Sequence, residues 1–292
     1  MSRSVERKIL LGLIGSGIAK SLSPVMHEVE ASCHGIRLHY QLIDLDRPDV
    51  GGVATLRVLV DATLKIGFAG LNITFPCKQV VIPLLDELSE EARQMGAVNT
   101  VLFRNGRKIG HNTDGSGWAW AFHRAMPDAD LTCVVLLGAG GAGAAIAHEV
   151  LHMGAKRLVI VDTDGNRAQS LVANLNGIYG GRAEANVDVA AALAKASGLI
   201  QATPTGMTNL PGIPLPVELL RTDLWVAEVV YFPMETELLK AARALGCATL
   251  DGGGMAVGQA ARAFELFTGI APNAARMERH FRNLLALRAN GV

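Results

Sequence analysis

A glycine cluster, Gly138-Ala139-Gly140-Gly141-Ala142-Gly143, follows the apolar run Leu131 to Leu137, and Asp162 closes the next apolar run. A strand that feeds a GxGxxG turn into a helix aims backbone N–H groups and the helix dipole at a pyrophosphate, and glycines keep side chains out of the phosphates' way. The motif alone says little in a chain with 32 glycines. Its surroundings strengthen it: Val134 to Leu137 reads as a buried strand, Ala144 to Met153 as a helix ended by Gly154, and Leu158 to Val161 as the next strand. Upstream lie three polar clusters: Ser21-Leu22-Ser23-Pro24, Asn72-Ile73-Thr74-Phe75-Pro76-Cys77-Lys78, and Asn99-Thr100 with Asn112-Thr113-Asp114. Each follows an apolar strand, so their hydroxyls, amides and charges can converge at one sheet end, as a small polyhydroxylated carboxylate would require. Lys78 and Asp114 suit alcohol oxidation, in which a hydroxyl proton must leave with the hydride and return in the reverse direction. Taken singly, they also read as an exposed lysine after a turn and an aspartate capping a helix ahead of Gly115 and Ser116. Spacing alone leaves both readings open.

The residue closing the second strand of the nucleotide-binding half bears on the cofactor. Asp162 can accept hydrogen bonds from both adenine-ribose hydroxyls, whereas a 2′-phosphate would meet its charge and that of Asp164. NAD is expected. Arg167 is the counter-argument, since it can bind phosphate, pair with Asp164 or cover the adenine. A competing motif, His148-Glu149-Val150-Leu151-His152, fits the HExxH of zinc metalloproteases. Its helix begins at the phosphate turn, where dinucleotide packing opposes an open zinc site. Chance solvent-facing histidines are expected, and no metal is assigned.

The elements that must position these groups fill 292 residues, enough for two domains, with half the residues hydrophobic and no net charge. That balance argues against nucleic acid as a partner. Four scattered cysteines, Cys33, Cys77, Cys133 and Cys247, form no CxxC pair and read as reduced thiols of a cytoplasmic protein. The basic N-terminus followed by Ile9 to Ile14 has too short an apolar core for a signal peptide and reads as a first strand, and no membrane span is expected. In the first half, strands at Lys8 to Ile14, His39 to Leu45 and Phe68 to Thr74 alternate with helices at Val53 to Leu64, Gln79 to Leu85, and one capped by Ser23 and ended by Gly35. Ala97 to Phe103 and Lys108 to His111 flank Asn105-Gly106, a hairpin signal. A helix around Trp118, Trp120 and Phe122 ends at Pro127, and βα alternation continues to Leu250. Met255 to Gly269 and Ala274 to Leu287 close the chain as helices. The expected domains are 1–115, 116–250 and a helical 251–292 returning to the first. With two domains face to face, the substrate belongs in the cleft, beside the nicotinamide.

The order Gly15 to Pro24, Gly70 to Lys78, Ala97 to Thr100, Asn112 to Asp114 and Gly138 to Gly143 resembles the shikimate/quinate dehydrogenases. Ala202 to Met207, Tyr231 to Leu239, and Gly254-Met255 with Gln259 extend the likeness over nearly the whole chain. It implies an α/β fold of two domains: an N-terminal substrate domain and a Rossmann-type domain with a doubly wound parallel sheet. The reaction implied is reversible, NAD-dependent oxidation of the C3 hydroxyl of quinate or shikimate, with NADP-dependent shikimate dehydrogenase as the alternative. By the same resemblance Lys78 and Asp114 flank the reacting hydroxyl, and Ser21, Ser23, Asn72, Thr74, Asn99, Tyr231 and Gln259 bind or support the substrate. The nucleotide falls to Gly138, Gly140, Gly141, Ala142, Gly143, Asp162, Arg167, Thr203, Pro204, Val229, Gly252 and Met255. Asp162-Thr163-Asp164 replaces the Asn-Arg-Thr that grips the phosphate in NADP-using relatives. Cys77, Gln201 and Glu228 depart from an aromatic, an asparagine and an aspartate common in the family. A monomer or homodimer acting on a small hydroxylated carboxylate is implied. A non-catalytic ligand sensor is the remaining alternative, against which the presence of both Lys78 and Asp114 argues.

Overall fold

The apolar run after the basic N-terminus forms β1 (Lys8–Gly15), followed by α1 (Ser23–Cys33), β2 (Arg37–Asp44), α2 (Leu56–Ile66) and β3 (Gly70–Ile73). This computed structural model describes residues 8–289. Next come α3 (Cys77–Val80), β4 (Glu87–Leu88), α4 (Glu90–Met95), β5 (Thr100–Arg104) and β6 (Arg107–His111). They build a mixed sheet ordered β2-β1-β3-β5-β6-β4. β1 runs parallel to β2 and β3, while β5 is antiparallel to β3 and β6. The hairpin turns on Asn105 and Gly106, with φ of 52° and 75°. Both values are positive, as a type I′ turn demands.

Two local expectations need correction, and two elements are added. Ser23 is the first residue of α1 rather than its cap; Leu22 holds the cap position, and Ser21 Oγ accepts the Ser23 N–H at 3.2 Å. The helix expected from Gln79 to Leu85 is broken into α3 and a 3₁₀ turn at Ile82–Leu84, because Pro83 lacks an N–H and crowds the preceding backbone. β4 and α4 were not anticipated. Ser89 caps α4 by accepting the Ala92 N–H, two glutamates occupy the first turn, and Gly96 closes it at φ 60°.

The chain then forms α5 (Asp114–Ala125), β7 (Val134–Leu137), α6 (Gly141–His152), β8 (Leu158–Val161), α7 (Gly165–Tyr179) and β9 (Ala183–Asn186). It continues through α8 (Val189–Leu193), β10 (Gly198–Gln201), β11 (Trp225–Glu228), α9 (Glu237–Leu245) and β12 (Thr249–Leu250). Every pairing in this sheet is parallel, in the order β12-β11-β10-β7-β8-β9. Such a sheet must be covered on both faces, and alternate residues of one strand divide accordingly. Val134 and Leu136 pack with Trp118, Phe122 and Ile146, while Val135 and Leu137 pack with Leu193 and Leu238. Strand order reverses beside β7, so a crevice for a ligand is expected at the carboxyl ends of β7 and β10.

α10 (Gly252–Thr268) and α11 (Ala274–Ala289) complete the chain. It divides into two units, Met1–Thr113 with Gln259–Val292, and Asp114–Gly258, so the division runs through α10. In the first unit, Gly70 admits Phe267: a Cβ there would lie 2.3 Å from that ring. Glu30 of α1, buried, accepts from Arg276 Nε (2.8 Å) and Nη2 (2.6 Å) and from the Asn273 N–H (2.7 Å), which fastens the start of α11. Burial pushes the Glu30 carboxyl up, but Arg276, the Asn273 N–H and His34 outweigh it and hold it below its ordinary value.

Candidate active site

In the second unit, Gly138 turns the chain out of β7 at φ 96°, and Gly140 stands at the cap of α6. Gly143 is required by packing, since a Cβ there would fall 1.9 Å from the Gly138 carbonyl oxygen. Gly140 differs: a Cβ there meets nothing within 4 Å. Its bareness leaves the α6 N-terminus open to a phosphate. Asp162 ties this turn to β8. One carboxylate oxygen accepts the Ala139 N–H at 2.7 Å and the other the Asp164 N–H at 2.8 Å. Each oxygen keeps a lone pair for a ribose hydroxyl. Arg167 lies 3.7 Å from Asp162 and 3.5 Å from Asp164, an arrangement that neutralises these carboxylates rather than presenting a bare cation. The residues present fit a dinucleotide without a 2′-phosphate.

Three further loops follow the neighbouring strands. The Gly138 turn lies so close to the next loop that a Cβ would meet the Ala202 carbonyl at 2.8 Å. Gln201, fully buried, shapes that loop by donating to the Thr203 and Thr205 carbonyls and accepting the Thr203 N–H. Glu228, also buried, accepts the Val229 and Val230 N–H groups and the Thr236 hydroxyl. A Cβ on Gly252 would sit 2.3 Å from the Val229 carbonyl, so the start of α10 packs on the loop after β11. Thr203, Pro204, Val229, Gly252 and the buried Met255 are thus set along one end of this sheet.

In the first unit a chain of hydrogen bonds joins four of the expected substrate residues. Ser21 Oγ lies 3.2 Å from Ser23 Oγ, and the Ser23 hydroxyl is the neighbour whose hydrogen bonding draws the Tyr40 phenol's pKa partly back down. Tyr40 Oη donates to Asn72 Oδ1 at 2.8 Å. Asn72 Nδ2 donates to Thr100 Oγ1 at 3.0 Å, and Thr100 Oγ1 to Asn99 Oδ1 at 3.0 Å. Asn99 Nδ2 reaches Thr113 Oγ1 at 3.0 Å, and Asn99 Oδ1 accepts the Thr113 N–H at 2.8 Å. Burial of Tyr40 pushes its hydroxyl well above the ordinary phenol value, so it stays protonated. Sequence reasoning missed Tyr40. Its signal was a polar-tipped aromatic four residues before buried Asp44, on the same face of β2.

Thr74 follows β3 beside Gly15, where a Cβ would come within 2.3 Å of its methyl. Lys78, half-buried, rides on α3, and its carbonyl accepts the Val98 N–H at 2.8 Å, next to Asn99. Gln259 belongs to this unit through α10. Asp114, buried at the start of α5, and the exposed Tyr231 belong to the second unit. The HExxH histidines are not both solvent-facing, as had been expected. His152 is exposed, but His148 is buried edge-on to Tyr179, with ring centroids 5.8 Å apart. Burial lowers the His148 pKa to about 4, keeping the ring neutral. Among the described residues no three His, Cys, Asp or Glu side chains group as metal ligands, and no helix is long and apolar enough to cross a membrane.

A family model described as the shikimate dehydrogenase substrate binding domain matches residues 13–101, and one described as the shikimate 5′-dehydrogenase C-terminal domain matches 252–280. The chain is 58% identical to a shikimate dehydrogenase (NADP⁺) of Streptomyces avermitilis, over 92% of this chain and 93% of that one. It is 48% identical to a quinate/shikimate dehydrogenase (NAD⁺) of Corynebacterium glutamicum, over 94% and 99%. The solved quinate dehydrogenase of Corynebacterium glutamicum in complex with NAD superposes with a TM-score of 0.91 at 46% identity, covering 95% of this chain and 100% of that one. Sequence, fold and the order of polar clusters agree, and the chain belongs to the shikimate/quinate dehydrogenase family of oxidoreductases.

Proposed function

We propose that this protein reversibly oxidises the C3 hydroxyl of quinate, shikimate or both to the 3-dehydro acid, with NAD as cofactor. The bound nicotinamide supplies the hydride acceptor. Lys78 and Asp114 orient the reacting hydroxyl and take its proton as the hydride leaves. Ser21 takes the carboxylate with Ser23 behind it, and Thr74, Asn99 and Gln259 take the ring hydroxyls. Asn72 supports that shell, and Tyr231 reaches the acid.

The observation that carries the reading is the Asp162 carboxylate, bonded through both oxygens to the phosphate turn and to its own loop. Fixed there, it accepts ribose hydroxyls and repels a 2′-phosphate. A second reading, NADP-dependent shikimate oxidation, is favoured by Arg167, whose ion pairs are long and whose side chain is 54% exposed. The name of the Streptomyces relative points the same way. Steady-state rates for quinate and shikimate, each against NAD and NADP, decide the matter. Higher kcat/KM with NAD is expected for either acid. Equal or higher efficiency with NADP would overturn the cofactor assignment, and no turnover of either acid would overturn the substrate assignment.

A further inference from the structure

The Tyr40 hydroxyl joins the serine pair to the amides, and the direction of each hydrogen bond around it follows from its neighbours. Asn72 Nδ2 donates to the Asn99 carbonyl at 3.3 Å as well as to Thr100. A carbonyl only accepts, so the Asn72 amide is fixed with its oxygen toward Tyr40. That oxygen also only accepts, which commits the single phenolic proton to Asn72. Toward Ser23 the phenol must therefore accept, which turns the Ser23 proton inward. Ser21 Oγ donates to Ser23 in turn and stands at the head of the chain, where its proton can be redirected to a carboxylate without disturbing the bonds behind it.

The ring itself is held in place. His27 of α1 stacks on Tyr40 with centroids 5.0 Å apart and planes inclined by 28°. Burial lowers the His27 pKa to about 3, so an uncharged ring backs the phenol. Phe264 and Phe267 close in on His27 with centroids at 6.1 and 6.3 Å.

We propose that Tyr40 is a positioning residue for the acid, a buried phenol that fixes the hydroxyl of Ser23 and the amide of Asn72 in one hydrogen-bond sense before substrate arrives. The proposal rests on the assignment of Ser21, Ser23, Asn72 and Asn99 to the substrate. Tyr40→Phe keeps the ring and leaves Ser23 Oγ and Asn72 Oδ1 without the partner they share. The KM for the acid should rise about tenfold, the usual effect of stranding buried polar atoms. The KM for NAD should stay within about twofold, because a purely structural lesion would not select one substrate. An unchanged acid KM, or equal losses for acid and NAD, would overturn the proposal.

Ser23→Ala and Asn72→Ala belong in the same experiment. If they raise the acid KM and Tyr40→Phe does not, the role of Tyr40 fails and the substrate assignment stands; if none of the three does, the substrate assignment itself fails. Should Tyr40→Phe not fold, 3,5-difluorotyrosine at position 40 keeps the shape while strengthening the donor and weakening the acceptor. A change of about twofold or more in acid KM alone supports the role, and no change overturns it.

Discussion

Gln201 and Glu228 are register partners at the carboxyl ends of β10 and β11, and each folds its buried side chain back onto the loop that follows its own strand. The amide can both donate and accept and therefore crosses its loop from carbonyl to N–H. The carboxylate gathers two N–H groups and a hydroxyl. The two loops carrying Thr203 and Val229 are thus shaped from inside the sheet, with no reliance on solvent-exposed contacts.

The Glu228 carboxylate makes the second unit's stability depend on pH. Burial pushes its pKa up to about 7, and the bonds from Val230, Thr236 and Val229 only partly offset this. The folded state thus binds the proton more tightly than the unfolded chain. The resulting stabilisation is complete below the unfolded pKa of 4.5 and is lost as pH rises through about 7. Its size is roughly 3 kcal/mol at most. Urea unfolding of wild type and Glu228→Gln between pH 5 and 8 reads it directly. Wild type should lose stability relative to the variant as pH rises, and parallel curves would contradict the assignment.

Two glycines of the phosphate turn separate folding from binding. Gly143→Ala drives a methyl into the Gly138 carbonyl and should cost about 1–3 kcal/mol or more in stability. Gly140→Ala meets no protein atom in a backbone conformation open to alanine, at φ −74°. Its melting temperature should stay near wild type while the KM for NAD rises about tenfold or more, because the methyl occupies the approach of the phosphates. Thermal melts with NAD titrations check both. A Gly140→Ala enzyme with normal NAD affinity would place the pyrophosphate elsewhere.

How far the sequence could be read follows from the range of the interactions involved. Periodicity and the glycine spacing are local, so the parallel sheet, the hairpin at Asn105-Gly106 and the turn into α6 were legible. α4 escaped because six residues give too short a pattern, although Ser89 and Gly96 mark its ends. Pro83 breaks the helix within an apolar run whose spacing alone continues it. Tyr40 was hidden for a different reason. Its partners Ser23 and Asn72 are 17 and 32 residues away, and which side chain a buried hydroxyl meets is decided by strand order. His148 looked like half of a zinc motif because spacing records a shared helical face but not what covers it.

The cofactor assignment predicts a directional change at Asp162. Asp162→Asn removes the charge that would repel a 2′-phosphate and weakens the pull on Arg167, 3.7 Å away. With one oxygen in place of two, the side chain can no longer accept from both Ala139 and Asp164. The KM for NAD should therefore rise, and the ratio of NADP to NAD efficiency should increase about tenfold or more. Initial rates with both nucleotides at saturating acid measure this. An unchanged ratio would mean that Asp162 serves the turn alone.

Lys78 and Asp114 should prove separable from folding. Lys78 contributes its carbonyl to the Val98 N–H, a bond that Lys78→Ala retains. Asp114 opens α5, where a carboxylate favours the helix dipole and an asparagine keeps the shape and a hydrogen-bonding oxygen. Both Lys78→Ala and Asp114→Asn should therefore fold and bind NAD normally, while kcat falls by about 10²–10⁴, the range for losing a group that moves a proton in the transition state. The measurement is single-turnover oxidation of the acid alongside an equilibrium titration with NADH. If Lys78→Ala turns over at the wild-type rate, proton transfer must be assigned to another group. If the chemical step and NADH binding fall together, the loss is one of structure, and Lys78 would no longer be placed at the reacting hydroxyl.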